Sequence, residues 1–251
     1  MNIAKFTSPD FIIGKILVFG RAVVSAILLL IRKPSKESLR KVALILRVSP
    51  IYTMLSSERL SALYDIVQTI NNGNVEGVIV ECGTWNGGSA AMMAASCRNS
   101  KTSTLRRAFW LFDSFQGLPR PGEKDADEEK QSFFHGWNKG DPAKVKKIFE
   151  KLRLPIEDVK IIPGWFNETL KQTNILKIAV LHIDADWYDS VKVVLDSLYD
   201  KVVSGGIIVI DDYGRWQGAK MAVDDYLKEH DIKNVKLEKI DSSAVFFLKP
   251  V

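Results

Sequence analysis

The feature that most constrains the fold is a regular alternation, from about residue 38 onward, of helix-period stretches and short β-branched runs. This alternation is typical of a parallel sheet that helices cover on both faces. The predicted strands are GVIVECG, FWLFDS, VKIIPG, IAVLHID and GGIIVIDD, and the predicted helices are SLRKVALILRV, SERLSALYDIVQTI, GGSAAMMAASC, VKVVLDSLYDKV and GAKMAVDDYLKEH. Too few residues separate the final runs, VKLEKID and SAVFFLKP, for a crossover helix, so we expect an antiparallel hairpin there. The pattern predicts an α/β fold on a seven-stranded, mostly parallel sheet.

Charge and cysteine content narrow the class of protein. The 251-residue chain has a net charge of +5, but residues 1–50 hold nine Lys or Arg against two acids, a net +7 that leaves −2 for the rest. Because the basic charge is confined to the N-terminus, nucleic-acid binding is disfavoured. The two cysteines, Cys82 and Cys97, indicate neither a metal site nor a disulfide framework, which favours a reducing, cytoplasmic setting.

The N-terminus carries the most apolar stretch, residues 11–33. Lys15 and Arg21 interrupt it, so its uncharged runs fall short of the roughly 20 residues that a membrane-spanning helix needs. Residues 1–37 are therefore predicted to be a basic apolar segment outside a single α/β domain over residues 38–251. This segment either packs on protein, including a second copy in a homo-oligomer, or lies on an anionic surface at the inner face of the membrane.

One long irregular stretch, residues 117–142, interrupts the alternating pattern. It is acidic at first and aromatic later, where Phe133, Phe134, His135 and Trp137 follow closely on one another. A loop of this length in a compact domain is usually a functional lid or a disordered segment. The aromatic side chains favour the lid.

Candidate ligand-binding side chains lie directly after the predicted strands. In open α/β sheets, ligands bind outside the carboxyl ends of the strands. The residues at these ends are Glu81 and Gly83 after the first strand, Asp113 after the second, Asp184 and Asp186 after the fourth, and Asp211 with Asp212 after the fifth. The coincidence across several strands predicts a ligand site at this edge of the sheet.

The glycine-rich turn ECGTWNGGSA follows the first strand. It has neither the GxGxxG of a dinucleotide fold nor the Lys of a P-loop. Glu81 is a poor neighbour for phosphate but suits an ammonium group, which points to S-adenosylmethionine. Asp113 lies where such folds hold ribose hydroxyls, and Trp165 follows the third strand, where an adenine ring can stack. The alternatives are that both acids cap helices and that Trp165 packs in the core.

Four aspartates at two neighbouring strand ends form the sharpest signal: Asp184, Asp186, Asp211 and Asp212. Without a counter-charge, such crowding raises pKa values or costs several kcal/mol. An all-oxygen ligand set favours Mg2+, with manganese or calcium as alternatives, over zinc. The competing interpretation is helix caps and surface acids paired with lysines. His182 shares a strand face with Asp184 and is expected to be a core histidine rather than a ligand.

Five stretches together resemble the macrocin-type sugar O-methyltransferases, the TylF/MycF family. They are ECGTWNGGSA, LFDSFQGLP, IIPGWFNETL, LHIDADWYDS and GGIIVIDDYGRWQGAKMAVDDYL, and YTMLSSERL resembles the segment before the family's first strand. The match covers about residues 50–230 in the family's order. The resemblance implies a Rossmann-like class I methyltransferase fold and a methyl transfer from S-adenosylmethionine to a sugar hydroxyl of a small-molecule or lipid-linked glycoside.

The resemblance also implies a role for each matched residue. Glu81 and Gly83 would belong to the cofactor loop, Asp113 and Ser114 to the ribose side, Thr53 and Met54 to a segment that closes on the cofactor, Asp184, Asp211 and Asp212 to the magnesium site, and Asp186 to the general base. The rival hypotheses are a catechol-type O-methyltransferase, a glycosyltransferase with a DxD motif, and a non-catalytic module that keeps the cofactor fold.

Overall fold

The computed structural model describes residues 34–100, 106–125 and 134–250, with isolated positions between 20 and 31. The strands are β1 (Val78–Cys82), β2 (Phe109–Asp113), β3 (Val159–Pro163), β4 (Ile178–Ile183), β5 (Val202–Ile210), β6 (Glu238–Lys239) and β7 (Val245–Leu248). The helices bounded within the described ranges are α1 (Lys36–Val48), α2 (Ser57–Asn72), α3 (Gly88–Asn99), α4 (Pro142–Lys151), α5 (Phe166–Thr169), α6 (Tyr188–Leu198) and α7 (Gln217–Glu229).

The seven strands form one sheet in the order β3-β2-β1-β4-β5-β7-β6. The first five are parallel, whereas β7 runs antiparallel to both β5 and β6. Each predicted strand is present and the C-terminal hairpin forms, so the expected seven-stranded, mostly parallel sheet is confirmed.

Two apolar clusters lie on opposite faces of the sheet. Alternate strand residues contribute to each, so Ile79 belongs to the cluster with α2, α3 and α4, whereas Val80 belongs to the cluster with α6 and α7. Burying one such side chain contributes about 2 kcal/mol. Helices therefore cover both faces, as the alternating sequence pattern predicts.

The helix α4 is absent from the predictions because the predicted lid was extended to its first residue. Asp141 caps it, accepting a hydrogen bond from Ala143 N at 2.8 Å, and Pro142 occupies the first turn, where its missing N–H costs nothing. Val145, Ile148 and Phe149 bury one face of the helix. The predicted lid therefore ends at the start of a helix that packs against the rest of the domain.

The strand register brings the carboxyl ends of β1, β4 and β5 to one level. Cys82 pairs with Ile183, which pairs with Ile210. The ladder continues one residue further, because Asp184 N donates to Cys82 O at 2.8 Å and Asp211 N donates to Ile183 O at 2.9 Å. Asp184 and Asp211 consequently leave adjacent strands side by side.

Two sequence predictions fall wholly or partly outside the described residues. Most of the apolar segment 11–33 and the middle of the lid, residues 126–133 with Phe133, belong to this undescribed part. Among the helices that are described, none has the length and apolarity to cross a bilayer.

A buried arginine fastens the start of β2 to the turn before β1. Arg107 is 4% exposed and donates from Nε to Asn71 Oδ1 at 2.7 Å, from Nη1 to Gly77 O at 2.8 Å and from Nη2 to Val75 O at 2.7 Å. Burial lowers the pKa of Arg107 from its ordinary value. Its guanidinium is nevertheless a charged donor, and hydrogen bonds from a charged donor are stronger than those between neutral groups. The adjacent Arg106 is itself exposed and pairs with Glu157 and Asp158.

We predict that Arg107→Met lowers the free energy of unfolding by about 3 kcal/mol, because it leaves buried acceptors without donors. Arg106→Met should cost less than about 1 kcal/mol, since exposed ion pairs contribute little. Urea denaturation of both variants checks this. Equal losses in the two variants would show that the Arg107 contacts are not what holds this turn.

Candidate active site

A cavity of about 500 Å³ opens at the carboxyl ends of β1 to β4. The predicted site residues that line it are Met54, Gly83, Asp113, Ser114, Trp165, Asp184 and Asp186. Thr53, Glu81, Asp211 and Asp212 lie behind its walls and are each at most 5% exposed. The edge of the sheet predicted from sequence is therefore concave, and most of the predicted residues line it.

The glycine loop after β1 leaves no space for a side chain at its first position. Gly83 has φ +96°, and a Cβ there would overlap the carbonyl oxygen of Asp184. Only glycine combines this backbone conformation with so close an approach. The loop therefore fixes the spacing between the predicted cofactor turn and the aspartates after β4.

Asp113 joins the ends of β1 and β2. Its Oδ2 accepts from Trp85 N and its Oδ1 from Phe115 N, both at 2.7 Å. Burial raises the pKa of Asp113, although these backbone N–H groups oppose the shift. Asp113 therefore holds two turns through their N–H groups, whereas the alternative weighed from sequence was a helix cap. Each oxygen has a further lone pair, so the same side chain can also accept from a ribose hydroxyl.

The segment before α2 contacts the glycine loop. Gly88 N donates to Tyr52 O at 2.8 Å, and a Cβ at Gly88 would overlap the same segment. Thr53 is buried, with its Oγ1 accepting from Leu55 N at 3.1 Å, whereas Met54 is 49% exposed at the cavity. Met54 is thus placed to contact a ligand directly and Thr53 to shape the turn.

Glu81 and His182 form a fully buried pair beneath the cavity. Glu81 Oε1 lies 3.0 Å from His182 Nδ1, and Oε2 has no hydrogen-bond partner within the described residues. Glu81 does not line the cavity, so its contact with an ammonium group stays a prediction. His182 Nε2 is 3.7 Å from Asp211 Oδ1. His182 therefore lies in the core between two carboxylates.

The protonation of His182 follows from these neighbours. Burial by itself lowers the pKa of a histidine, but the hydrogen bonds and charges of Asp211 and Glu81 outweigh it and raise the pKa of His182 to about 9. The ring is therefore a cation at neutral pH. It offsets part of the negative charge at the ends of β1 and β5.

Three carboxylates cluster at the cavity, two of them lining it and the third, from Asp212, buried behind them. Asp184, Asp186 and Asp212 each offer an oxygen, and these oxygens lie within 4.8 Å of one another. Burial and mutual repulsion raise the pKa values of Asp184 and Asp212 well above the ordinary value and that of Asp186 to about 6. Asp211 stands apart because its Oδ2 is paired with Arg59. The cluster thus contains two predicted metal ligands and the predicted base.

Arg59, in the stretch YTMLSSERL, belongs to the site although no role for it was predicted from the sequence. Arg59 lies on α2, and its guanidinium donates to Asp211 Oδ2. Its Nε also donates to Asp241 Oδ2, 2.7 Å away, in the turn before β7. The side chain is 15% exposed, and its carboxylate partners, against the opposing effect of burial, raise its pKa. Only the fold brings these partners together.

The backbone at Asp186 is unusual. Its φ of +57° is in the left-handed region, which is uncommon for residues with a side chain and concentrates at functional sites. Trp216 Nε1 donates to Asp186 Oδ1 at 2.8 Å, and Asp186 N donates to Asp212 Oδ2 at 3.3 Å. Trp216, which sequence analysis did not single out, therefore fixes one oxygen of Asp186.

The first part of the lid is attached to the backbone that follows Asp186. Asp125 is 3% exposed and caps α6, with Oδ1 accepting from Tyr188 N at 2.9 Å, while Trp187 Nε1 donates to Pro119 O at 3.0 Å. At the far side of the lid, the ring of Phe134 lies 5.8 Å from that of Trp216. The first part of the lid therefore contacts the residues that follow Asp186, and Phe134 contacts Trp216, which bonds Asp186.

The residues present fit the two groups that such a site would bind. Mg2+ prefers oxygen ligands, and the three crowded carboxylates form no ion pair among the described residues, while Asp211 Oδ1 has no hydrogen-bond partner among them. An acidic cavity beside a glycine loop suits a cofactor that carries sulfonium and ammonium charges. The chemistry of the donors thus supports both groups.

Comparison with known proteins identifies the family. The model of the family described as Macrocin-O-methyltransferase (TylF) matches residues 22–249. The chain belongs to the TylF family. Among curated TylF relatives, demethyldecarbamoylnovobiocin O-methyltransferase of Streptomyces niveus is 34% identical over 199 residues, 78% of this chain and 75% of the relative. The mycinamicin III 3''-O-methyltransferase of Micromonospora griseorubida is 29% identical over 202 residues, 78% of each chain.

Solved structures agree with this assignment to the TylF family. The O-methyltransferase NovP superposes with a TM-score of 0.75 at 29% identity, covering 95% of this chain and 99% of NovP. The calicheamicin methyltransferase CalS11 has a TM-score of 0.62 at 19% identity, which supports the fold alone. The chain is thus an O-methyltransferase with the Rossmann-like class I fold, and S-adenosylmethionine is its methyl donor. The predictions of family, fold class and enzyme class are confirmed.

We predict that the protein without metal loses stability as pH rises from about 6.5 to 9. The folded-state pKa of His182 lies above the ordinary value of about 6.5, so its stabilisation is complete below 6.5 and is lost through about 9. Urea denaturation in EDTA should show a shallower pH slope for His182→Gln than for wild type. His230→Gln, at the exposed end of α7, is the control and should keep the wild-type slope. Identical slopes in wild type and His182→Gln would contradict the assigned charge.

Proposed function

We propose that this chain transfers the methyl group of S-adenosylmethionine to a sugar hydroxyl of a glycoside, with Mg2+ held by aspartates. The observation that carries the proposal is the clustering of Asp184, Asp186 and the buried Asp212 beside a cavity that Gly83 and Asp113 also line. The names of three relatives specify O-methylation of demethyldecarbamoylnovobiocin, of mycinamicin III and of a tetracenomycin that carries a rhamnosyl group. The proposed acceptor is accordingly a small-molecule or lipid-linked glycoside.

The proposed metal site uses the aspartates whose pKa values are raised furthest by burial and by neighbouring negative charges. Asp184 and Asp212 would hold Mg2+, and Asp211 is the third candidate because one of its oxygens has no hydrogen-bond partner among the described residues. When bound, Mg2+ supplies a positive charge that lowers the pKa of an acceptor hydroxyl. Arg59 would then share Asp211 with the metal.

Asp186 is the proposed general base. Its Oδ1 is held by Trp216, so Oδ2 is the oxygen that can receive the acceptor's proton. Burial raises the pKa of Asp186 to about 6, which makes it a stronger base than an ordinary aspartate while leaving it mostly ionised at neutral pH. The methyl group moves from sulfur to the acceptor oxygen, and the proton moves from that oxygen to Asp186.

The lid and the N-terminal segment complete the proposal. Trp187 and the lid residue Pro119 would exclude water from the reacting groups, since they close one wall of the cavity. Residues 11–33 would contact either a membrane surface or a second copy of the chain. Co-sedimentation of the full chain with anionic vesicles separates these two roles.

The first experiment measures cofactor binding by calorimetric titration of S-adenosylmethionine. We expect Asp113→Ala to weaken binding by about tenfold or more, because a buried hydrogen bond to a ribose hydroxyl is lost. Asp113→Asn keeps the volume and one acceptor oxygen and should bind with intermediate affinity. Asp158→Ala, before the other end of β3, should bind as wild type does. Unchanged affinity in Asp113→Ala would remove Asp113 from the cofactor site.

A second pair of variants separates metal ligand from base. We expect Asp184→Asn to abolish the thermal stabilisation produced by Mg2+, whereas Asp186→Asn keeps it, and we expect both to lower turnover of a glycoside by about 100-fold or more. Thermal unfolding with MgCl2 or EDTA supplies the first readout, and methyl transfer from labelled donor supplies the second. If Asp186→Asn also loses the stabilisation, Asp186 is a ligand rather than the base. Methylation of catechols but not of glycosides would overturn the sugar acceptor.

A further inference from the structure

A second cavity lies beside the active site, on the other side of Trp216. It has a volume of about 570 Å³ and shares no lining residue with the first cavity. The segment between β5 and α7 forms one wall, and the turn between β6 and β7 forms the other. Trp216 separates the two cavities, because it lines the second and donates its Nε1 hydrogen bond to Asp186 in the first.

The charges of the two cavities are opposite. The first is lined by Asp113, Glu168, Asp184, Asp186 and Asp189 against Arg120. The second contains Arg215, Lys220 and Lys239 against Asp241, whose charge is already compensated by Arg59. Since the chain beyond residue 50 carries a net charge of −2, a concave surface with three cations is not a general property of this body.

The cations of the second cavity are available to a ligand. Neither Arg215 nor Lys239 forms an ion pair within the described ranges, and both are exposed. Lys220 pairs with Asp224 on the surface of α7, with its side chain 51% exposed. Such a pair contributes little to stability, so Lys220 can exchange this partner for a stronger one. The exposed Ser242 adds a hydroxyl donor.

We propose that this second cavity binds a phosphoryl group carried by the acceptor sugar. Guanidinium and ammonium groups present only donors, which match the acceptor oxygens of a phosphoryl group, and a charge near −2 matches several cations better than one carboxylate does. A sugar phosphorylated at its anomeric carbon carries the phosphoryl group at one ring carbon and hydroxyls on other carbons of the same ring. Such a sugar would span Trp216, with a ring hydroxyl at Asp186 and its phosphoryl group in the second cavity. The inference rests on the proposed sugar O-methylation and names its acceptor class as glycosyl phosphates or diphosphates.

The test is calorimetric titration of glucose 1-phosphate, UDP-glucose and inorganic pyrophosphate into the full chain. EDTA is present so that the aspartate cluster cannot recruit the anion through a metal. Lys239→Gln and Lys220→Gln should each weaken binding by about tenfold, and the double variant by more. Lys236→Gln is the matched control, because Lys236 precedes the same hairpin strand but does not line the cavity. It should bind as wild type does.

Separate results bear on each part of the proposal. No binding by wild type, or equal binding by Lys239→Gln and wild type, would overturn the anion site. Glucuronate binding as tightly as glucose 1-phosphate would overturn the phosphoryl class. Preference for UDP-glucose over glucose 1-phosphate would indicate a nucleotide-linked acceptor, and the same affinity for both would indicate that the sugar phosphate alone is recognised. S-adenosylmethionine titrated into the same samples tests the methyltransferase function independently, since its cavity shares no lining residue with this one.

Discussion

The structure depends on how it buries an excess of negative charge where three parallel strands end. The carboxylates are Glu81, Asp184, Asp186, Asp211 and Asp212, and the cations among them are His182 and Arg59. Two cations cannot neutralise five carboxylates, so the cost of burial and the remaining repulsion raise the pKa values of Asp184, Asp186 and Asp212. A fold would not retain this imbalance for stability alone, since uncompensated buried charge destabilises. The imbalance is explained if the site receives a cation.

Sequence was sufficient to locate this site but not to assign partners within it. Position at the end of a strand depends on local pattern, and parallel neighbours bring such positions together, which is why Asp184 and Asp211 could be predicted to meet. The partner of Asp211 could not be predicted, because Arg59 is separated from it by 152 residues and comes from a helix. The packing of α2 against the sheet is what places Arg59 beside Asp211. Asp186 instead lies in the cluster with Asp184 and Asp212.

The conformation of Asp186 was likewise beyond the sequence. The stretch LHIDADWYDS predicts a strand followed by acids, but a positive φ at an aspartate is a tertiary outcome rather than a propensity. It is held by Trp216 on the side chain and by the cap that Asp125 gives to α6 two residues later. The helix α4 was missed for a simpler reason, since the polar lid pattern runs directly into its first turn.

These contacts couple the lid to Asp186 through the backbone. Asp125 and Pro119 in the first part of the lid bond Tyr188 and Trp187, and these residues directly follow Asp186. A change in the lid that moves either contact therefore also moves the backbone next to Asp186, because at most one residue lies between Asp186 and the bonded position. Gly218 extends the same linkage to α7, since a Cβ there would overlap the Asp125 carboxylate and displace it from the cap.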